Sequence, residues 1–283
     1  IMRNVFIIGF FVMSLFAGIF LVQRNRIAKA KKQSDKDRKR SDKLLVNVLP
    51  TETANELKAR GNVKAKSYAM VTVMFVDFKN FTSVSESMSP NELVDELNFY
   101  FREFDRIITK HKIEKIKTLG DGYMCAGGLP VENITHAADT VYAALEIQHF
   151  LEHLKQERIQ LNRQYFEARI GIHSGPVISG IVGLKKFAYD IWGDTVNIAS
   201  RMESCGEVGK VNISSATHAL LKNKFTFSHR GSVETKNKVT FDMYFVNDVV
   251  PAEIQSKRKK IYSTATAPET SGVNIKDLLE EHS

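Results

Sequence analysis

The sequence is poor in cysteine: only Cys125 and Cys205 occur among 283 residues. Small extracellular domains that depend on disulfides need several cysteines, and zinc sites need cysteine or histidine ligands at short spacings. Neither pattern is present around these two cysteines. We therefore expect a protein of a reducing compartment that has neither a disulfide framework nor a zinc site.

A basic face of the kind that binds nucleic acid is also missing. Lysine and arginine outnumber aspartate and glutamate by 40 to 32, which gives a formal net charge of +8. The excess is concentrated in residues 23–43 and again in residues 257–260. Because nucleic acid favours positive charge distributed over one binding face, we predict no nucleic-acid partner.

Charge is absent from the segment Val5–Val22, "VFIIGFFVMSLFAGIFLV". At about 1.5 Å per helical residue, these eighteen residues would cover nearly the whole hydrocarbon core of a bilayer. We predict a transmembrane helix within residues 1–22, in contact with membrane lipid. A cleaved signal peptide is the alternative, but no small-residue cleavage site follows the segment.

The flank of this segment predicts the orientation and the domain organisation. Ten basic residues follow between Arg24 and Lys43, and positive charge beside a span marks its cytoplasmic side. We expect a protein of the cell membrane with a basic stalk and connector helix at 23–67, a cytoplasmic domain at 68–250 and a flexible tail at 251–283. Because the sequence begins with Ile1, we also expect it to be the C-terminal part of a longer chain.

Short strand patterns alternate with helix signals in the main domain. A β-rich run, "MVTVMFVDF", follows Tyr68, and the segment Ser89–Glu92 is a capping box with proline at the first helical position. A long helix is predicted from about Ile134 to Gln160, a strand pair in "FEARIGIHSGPVISGIVG", and a strand, turn and helix in "YDIWGDTVNIASRM". This order predicts an α+β sandwich with a largely antiparallel sheet and its helices on one face.

Two aspartates stand where strands end. Asp77 closes the first strand, and Asp121 lies at the Gly-Asp-Gly turn of "KIKTLGDGYM". Aspartate beside glycine is an ordinary hairpin signal, which is the structural alternative. If the strands are neighbours, the carboxylates converge as a magnesium site with phosphate oxygens requires. Lys117 would lie about 13 Å from Asp121 at 3.3 Å per strand residue, too far for an ion pair.

Asn197 and Arg201 are four residues apart on the helix that follows Asp194, so their side chains share one face. An amide and a guanidinium that project together suit a sugar edge and a phosphate. The alternative is that both belong to a solvated helix face.

The segments "FVDFKNFT", "KIKTLGDGYM", "ARIGIHSGPV" and "YDIWGDTVNIASRM" occur in this order. Together they resemble the catalytic domain of class III nucleotidyl cyclases of the adenylate cyclase kind, over about Tyr68 to Val246. The resemblance implies the ferredoxin-like α/β sandwich of these cyclases, preceded here by the predicted membrane helix and helical stalk.

The resemblance also implies the roles of individual residues. Asp77 and Asp121 match the two metal-binding aspartates of the family, and the backbone carbonyl of Phe78 matches a further metal contact. Lys117 and Asp190 match the pair that recognises the adenine edge. In family members that recognise guanine, glutamate and cysteine usually occupy these two positions.

Three further residues match positions that bind the rest of the nucleotide. Asn197 matches the residue that orients the ribose, and Arg201 the residue that neutralises charge on the phosphate under attack. Lys236 matches a lysine that holds the terminal phosphates, although the family usually has glycines where Asn237 and Val239 stand.

The resemblance implies an adenylate cyclase that converts ATP into 3′,5′-cyclic AMP and pyrophosphate for signal transduction. It implies two Mg²⁺ ions per site, for which Mn²⁺ substitutes. In the family, one subunit supplies the metal half of each site and the other the base-reading half, so a chain with both halves implies a homodimer. The alternatives are a guanylate cyclase and a catalytically silent nucleotide-binding or dimerisation module.

Overall fold

The structure is a computed structural model that describes residues 2–183, 188–234 and 240–250. Its helices are α1 (Met2–Val46), α2 (Thr51–Arg60), α3 (Phe81–Ser85), α4 (Pro90–Lys110), α5 (His136–Gln160), α6 (Asp194–Ser204) and α7 (Ser215–Leu221). Its strands are β1 (Lys66–Lys79), β2 (Glu114–Leu119), β3 (Gly122–Gly127), β4 (Glu167–Val182), β5 (Ala188–Trp192), β6 (Val211–Ser214), β7 (Phe225–Glu234) and β8 (Thr240–Val249).

The chain divides into two compact units. One holds the residues up to Ala65 together with the described part of Gly180–Asp190. The other holds Lys66–Ser179 and the described residues from Ile191 onward. The second unit contains most of the domain predicted at 68–250.

The first unit contains helices α1 and α2. Residues 23–43, predicted as a stalk, are part of the continuous helix α1 and are almost entirely exposed. Helix α2 ends at Arg60, and Gly61 caps it with a φ of 72°. Lys58 and Asp42 join α2 to α1 through an ion pair of 2.8 Å.

The transmembrane helix predicted within residues 1–22 is not shown by the structure. The segment belongs to α1. Over the part of the chain that the structure describes, no helix has both the length and the apolar character that crossing a membrane requires.

The sheet has the order β2-β3-β1-β4-β6-β8-β7, and β5 pairs with β4. Of the registers that define this order, only β4 with β6 is parallel. The prediction of a largely antiparallel sheet in an α+β fold is therefore confirmed.

Helices α4 and α5 cover one face of the sheet. The capping box predicted at the start of α4 is present, since Ser89 Oγ accepts from the Glu92 amide and the Glu92 carboxylate accepts from the Ser89 amide. The core below these helices is rich in aromatic side chains. It includes Met74, Val76 and Phe78 of β1, Tyr100 and Phe104 of α4, Val141, Ala144 and Ile147 of α5, and Ile170 and Ile172 of β4.

Helix α6 lies on the opposite face, so the prediction that the helices share one face is wrong. Ile170 and Ile172 point toward α4 and α5, and Gly171 between them must face the other way. A Cβ atom on Gly171 would lie 1.8 Å from the Glu203 backbone nitrogen of α6. The helix backbone thus occupies the space where a side chain of β4 would stand.

The strand pair predicted in "FEARIGIHSGPVISGIVG" is also wrong, because these residues form the single strand β4. Its glycines permit close packing and do not turn the chain. Neither Gly171 nor Gly175 has a positive φ, and a Cβ on Gly175 would lie 2.6 Å from Thr195 Oγ1.

Candidate active site

The hairpin of β2 and β3 carries Asp121 at its tip, as predicted. Leu119 pairs with Gly122, which leaves Gly120 and Asp121 as a two-residue turn. Gly120 has a φ of 64°, a conformation that glycine adopts without strain. The placement of Lys117 and Asp121 on one strand is wrong, because Asp121 lies in the turn after β2 ends.

The carboxylates of Asp77 and Asp121 converge at one edge of the sheet, as predicted. Strands β1 and β3 are neighbours, and Asp77 pairs with Gly122, the residue after Asp121. A Cβ on Gly122 would lie 3.6 Å from Asp77 Oδ1. Burial raises the pKa of Asp121, and the Asp77 charge raises it further. The site therefore holds negative charge that a cation would stabilise.

Two residues that the sequence analysis did not identify complete this charged cluster. Arg169 of β4 pairs in register with Asp77 and directs Nη2 to Asp77 Oδ2 at 3.1 Å. The same Nη2 atom lies 2.8 Å from Glu203 Oε1 on α6. The only sequence signal for Arg169 is one charged residue in the apolar run "ARIGIH".

Glu203 is buried, with a residue exposure of 7%. The pKa of Glu203 is raised to about 7, because burial and the charge of Asp77 raise it by more than Arg169 lowers it. A carboxyl group in such a place needs a specific partner, because burying an unpaired charge is costly. Arg169 is that partner through its ion pair, although Glu203 Oε1 makes no hydrogen bond of good geometry within the described residues.

Asn197 and Arg201 both belong to helix α6, as predicted. Asn197 is exposed and Arg201 is half-buried. Their helix is the one that carries Glu203 and packs against Gly171 of β4.

The side chain of Phe78 points into the core, so only its backbone could contact a cation beside Asp77. Its side chain is 3% exposed and packs in the core, with ring centroids 5.0 Å from Phe166 and 5.3 Å from Tyr100. Such packing fixes the end of β1 and hence the backbone position of Asp77.

The remaining predicted site residues are on strands β2 and β5 or outside the described residues. Lys117 is half-buried in β2, beside an irregularity in the pairing with β3 between Lys115 and Lys117. Asp190 is half-buried in β5 and belongs to the other compact unit. Lys236 lies outside the described residues.

The donor set suits Mg²⁺ better than zinc. Among the described residues, no group of three or more histidine, cysteine, aspartate or glutamate side chains could hold a metal ion. Mg²⁺ is usually held by one or two carboxylates together with water and substrate phosphates. Asp77 and Asp121, with the backbone of Phe78, fit that requirement.

Comparison with known proteins identifies the class to which this fold and site belong. The sequence profile described as "Adenylate and Guanylate cyclase catalytic domain" matches residues 63–248. This chain belongs to that family.

Similar curated proteins include guanylate cyclases. The receptor-type guanylate cyclase gcy-4 of Caenorhabditis elegans is 39% identical over 220 residues, which are 74% of this chain and 19% of that protein. Guanylyl cyclase C of Sus scrofa is 39% identical over 226 residues, 77% of this chain and 20% of that protein. The chain thus spans about a fifth of the length of these relatives.

Solved structures of both cyclase types are similar to this chain. The guanylate cyclase domain of RhGC from Catenaria anguillulae, in complex with GTP, has a TM-score of 0.60 and 33% identity, covering 65% of this chain and 100% of that one. The adenylyl cyclase CyaB from P. aeruginosa has a TM-score of 0.62 and 29% identity, covering 66% of this chain and 97% of that one.

Proposed function

We propose that this chain is the catalytic part of an adenylate cyclase, which converts ATP into 3′,5′-cyclic AMP and pyrophosphate. The observation that carries the proposal is the pair of carboxylates, Asp77 and Asp121, brought together where β1 meets the β2–β3 turn. Family membership supports a nucleotide substrate.

The reaction requires charge compensation and positioning. Mg²⁺ held by the carboxylates would lower the pKa of the ribose 3′-hydroxyl and balance the charge of the phosphates. Asn197 would orient the ribose. Arg201 would bind the α-phosphate most strongly as charge shifts in the transition state, so its loss should reduce kcat more than it raises KM.

The choice of ATP over GTP depends on Lys117 and Asp190. A lysine donates to a ring nitrogen of adenine and an aspartate accepts from its exocyclic amine, whereas guanine presents a ring N–H and a carbonyl. Guanylate cyclase is the alternative, because the curated relatives named above are guanylate cyclases. Overall similarity does not decide the base, since a rhodopsin-guanylyl cyclase "with converted specificity", in complex with ATPαS, is 35% identical with a TM-score of 0.60.

The proposed active form is a homodimer. One similar structure is described as a "non-canonical dimeric guanylyl cyclase domain" from the fungus Blastocladiella emersonii, with a TM-score of 0.59 and 30% identity; it supports the pairing of such domains but not the two-site arrangement proposed here. This chain carries both the aspartates and the Asn197 and Arg201 pair, so two copies would form two equivalent sites. We further propose that residues 1–22 anchor this dimer in the cell membrane, with the catalytic domain in the cytoplasm.

A product assay tests the proposed function. The purified full chain is incubated with Mg²⁺ or Mn²⁺ and with ATP or GTP, and the cyclic product is identified by mass. We expect cyclic AMP from ATP and little product from GTP. Cyclic GMP as the main product would establish the guanylate cyclase alternative, and no product from either nucleotide would establish the silent module.

Mixed dimers test the shared site. Asp77→Ala and Arg201→Ala should each be inactive alone, because each removes one half of both sites. When the two variants are mixed and exchange subunits, we expect activity to return, since one site of each mixed dimer then keeps both halves. Subunit exchange is measured independently by labelling each variant with a different fluorophore. Exchange without any recovery of activity would contradict the homodimer site.

A further inference from the structure

Arg169 joins two acidic residues that belong to different elements. Its Nη2 atom lies 3.1 Å from Asp77 Oδ2 of β1 and 2.8 Å from Glu203 Oε1 of α6. Its Nε–H is buried and donates no hydrogen bond to any group within residues 2–183, 188–234 and 240–250. The two carboxylates therefore provide the polar contacts observed for this guanidinium.

The contact with Arg169 orients the Asp77 carboxylate. Oδ2 accepts from Arg169, while Oδ1 lies on the side of Gly122, next to Asp121. A carboxylate held by one oxygen presents the other to a cation in a defined direction, as outer contacts of metal ligands generally do. Without a counter-charge, however, a guanidinium beside the ligand would oppose cation binding.

In its ionised form, Glu203 supplies that counter-charge from a fixed position. Its backbone nitrogen lies where a Cβ of Gly171 would stand, at 1.8 Å from that hypothetical atom. Its side chain is 10% exposed, compared with 20% for Arg169 and 32% for Asp77. The acidic group is thus the most buried member of the cluster, behind the arginine.

We infer that Glu203 is a positioning residue for the cation site, acting on Asp77 through Arg169. It holds the guanidinium on Asp77 Oδ2 and balances its charge, so that Oδ1, on the side of Gly122, stays available to Mg²⁺. This inference rests on the proposed function, because it assumes that Asp77 and Asp121 bind the cation.

Direct measurement of Mn²⁺ binding tests this role without relying on turnover. Free Mn²⁺ is quantified by electron paramagnetic resonance during titration of the full chain and of Glu203→Gln, which keeps the shape of the side chain and removes its charge. We expect Glu203→Gln to raise the Kd for Mn²⁺ by about 10-fold or more, the range found when outer contacts of metal ligands are lost. Glu203→Asp keeps the charge and should recover part of the Mn²⁺ affinity. This variant replaces Glu203→Gln in the titration if Glu203→Gln does not fold.

The matched control is Glu207→Gln, which removes the same charge from an exposed ion pair with Arg230 and should leave the Kd unchanged. Asp77→Ala separates the two proposals. If Asp77→Ala abolishes Mn²⁺ binding while Glu203→Gln and Glu203→Asp bind as the unmodified chain does, the role of Glu203 is wrong and the metal site stands. If Asp77→Ala binds Mn²⁺ normally, both proposals fail. A lowered melting temperature with an unchanged Kd would show that Glu203 only stabilises the fold.

Discussion

Replacing Asp77 or Asp121 by alanine should reduce cyclase turnover by about 10³-fold or more while leaving a folded dimer. A bound divalent cation supplies several kcal/mol of charge stabilisation to a phosphoryl-transfer transition state, and each 1.36 kcal/mol corresponds to a factor of ten in rate. The two carboxylates belong to neighbouring strands, where Asp77 pairs with the residue after Asp121. Turnover is measured as cyclic nucleotide formed per subunit at saturating Mg²⁺.

The fold should tolerate the change at Asp121. Its carboxyl pKa is raised by burial and by the Asp77 charge, so the ionised form is less favourable in the folded chain than in the unfolded one. Above its raised pKa this residue therefore lowers stability, and Asp121→Asn should melt at the same temperature or higher at neutral pH.

The control for these variants is Asp95→Ala, which removes an exposed carboxylate from α4 and should leave turnover unchanged. Near-normal activity of Asp77→Ala or Asp121→Ala, with the Mg²⁺ requirement intact, would show that the cation is held elsewhere. A loss of activity that accompanies unfolding in circular dichroism would assign these residues a structural role instead.

The sequence predicts those site residues that lie beside a recognisable turn, strand end or helix. Asp121 is identifiable from its Gly-Asp-Gly turn, and Asp77 from a charge at the end of an apolar strand. Asn197 and Arg201 share a helix that is predicted from the strand and turn that precede it in "YDIWGDTVNIASRM". Each of these depends on residues fewer than ten positions away, where turn and helix chemistry act.

Arg169 and Glu203 were missed because their roles depend on long-range register. Arg169 meets Asp77 only through the pairing of β1 with β4, across 92 positions of sequence. Glu203 reaches Arg169 only because α6 packs directly over Gly171. The strand pairing has no local sequence signal, and the helix approach has only Gly171, a residue type that also occurs in turns.

The errors in the predicted fold have the same physical origin. The strand pair predicted in "FEARIGIHSGPVISGIVG" requires a turn inside the segment, and glycine is a common turn residue. In the structure Gly171 and Gly175 leave room for α6 on the face of the sheet opposite α4 and α5. The glycines, which have no side chain, thus mark a close contact with α6. That contact also explains why α6 lies on the face opposite α4 and α5.

Exchanging the base-reading residues should have the second large effect. In the proposed role, Lys117 and Asp190 would complement the acceptor nitrogen and donor amine of adenine, whereas with guanine both would face groups of like hydrogen-bonding type. An unpaired buried polar group costs about 1–3 kcal/mol. Two such mismatches predict a preference for ATP over GTP of about 10²- to 10⁴-fold in kcat/KM for the unmodified chain.

The double change Lys117→Glu with Asp190→Cys should lower kcat/KM for ATP and raise it for GTP, because the glutamate accepts from the guanine ring N–H. Each single change should reduce the use of both nucleotides, since one residue of the pair then faces the wrong group whichever base is bound. Both kcat/KM values are measured for all four proteins at one Mn²⁺ concentration, with thermal melting as the control for folding. An unmodified chain that uses ATP and GTP equally would refute this assignment of the base-reading pair. A double variant that loses ATP use without any gain for GTP would show that Lys117 and Asp190 support the substrate without selecting its base.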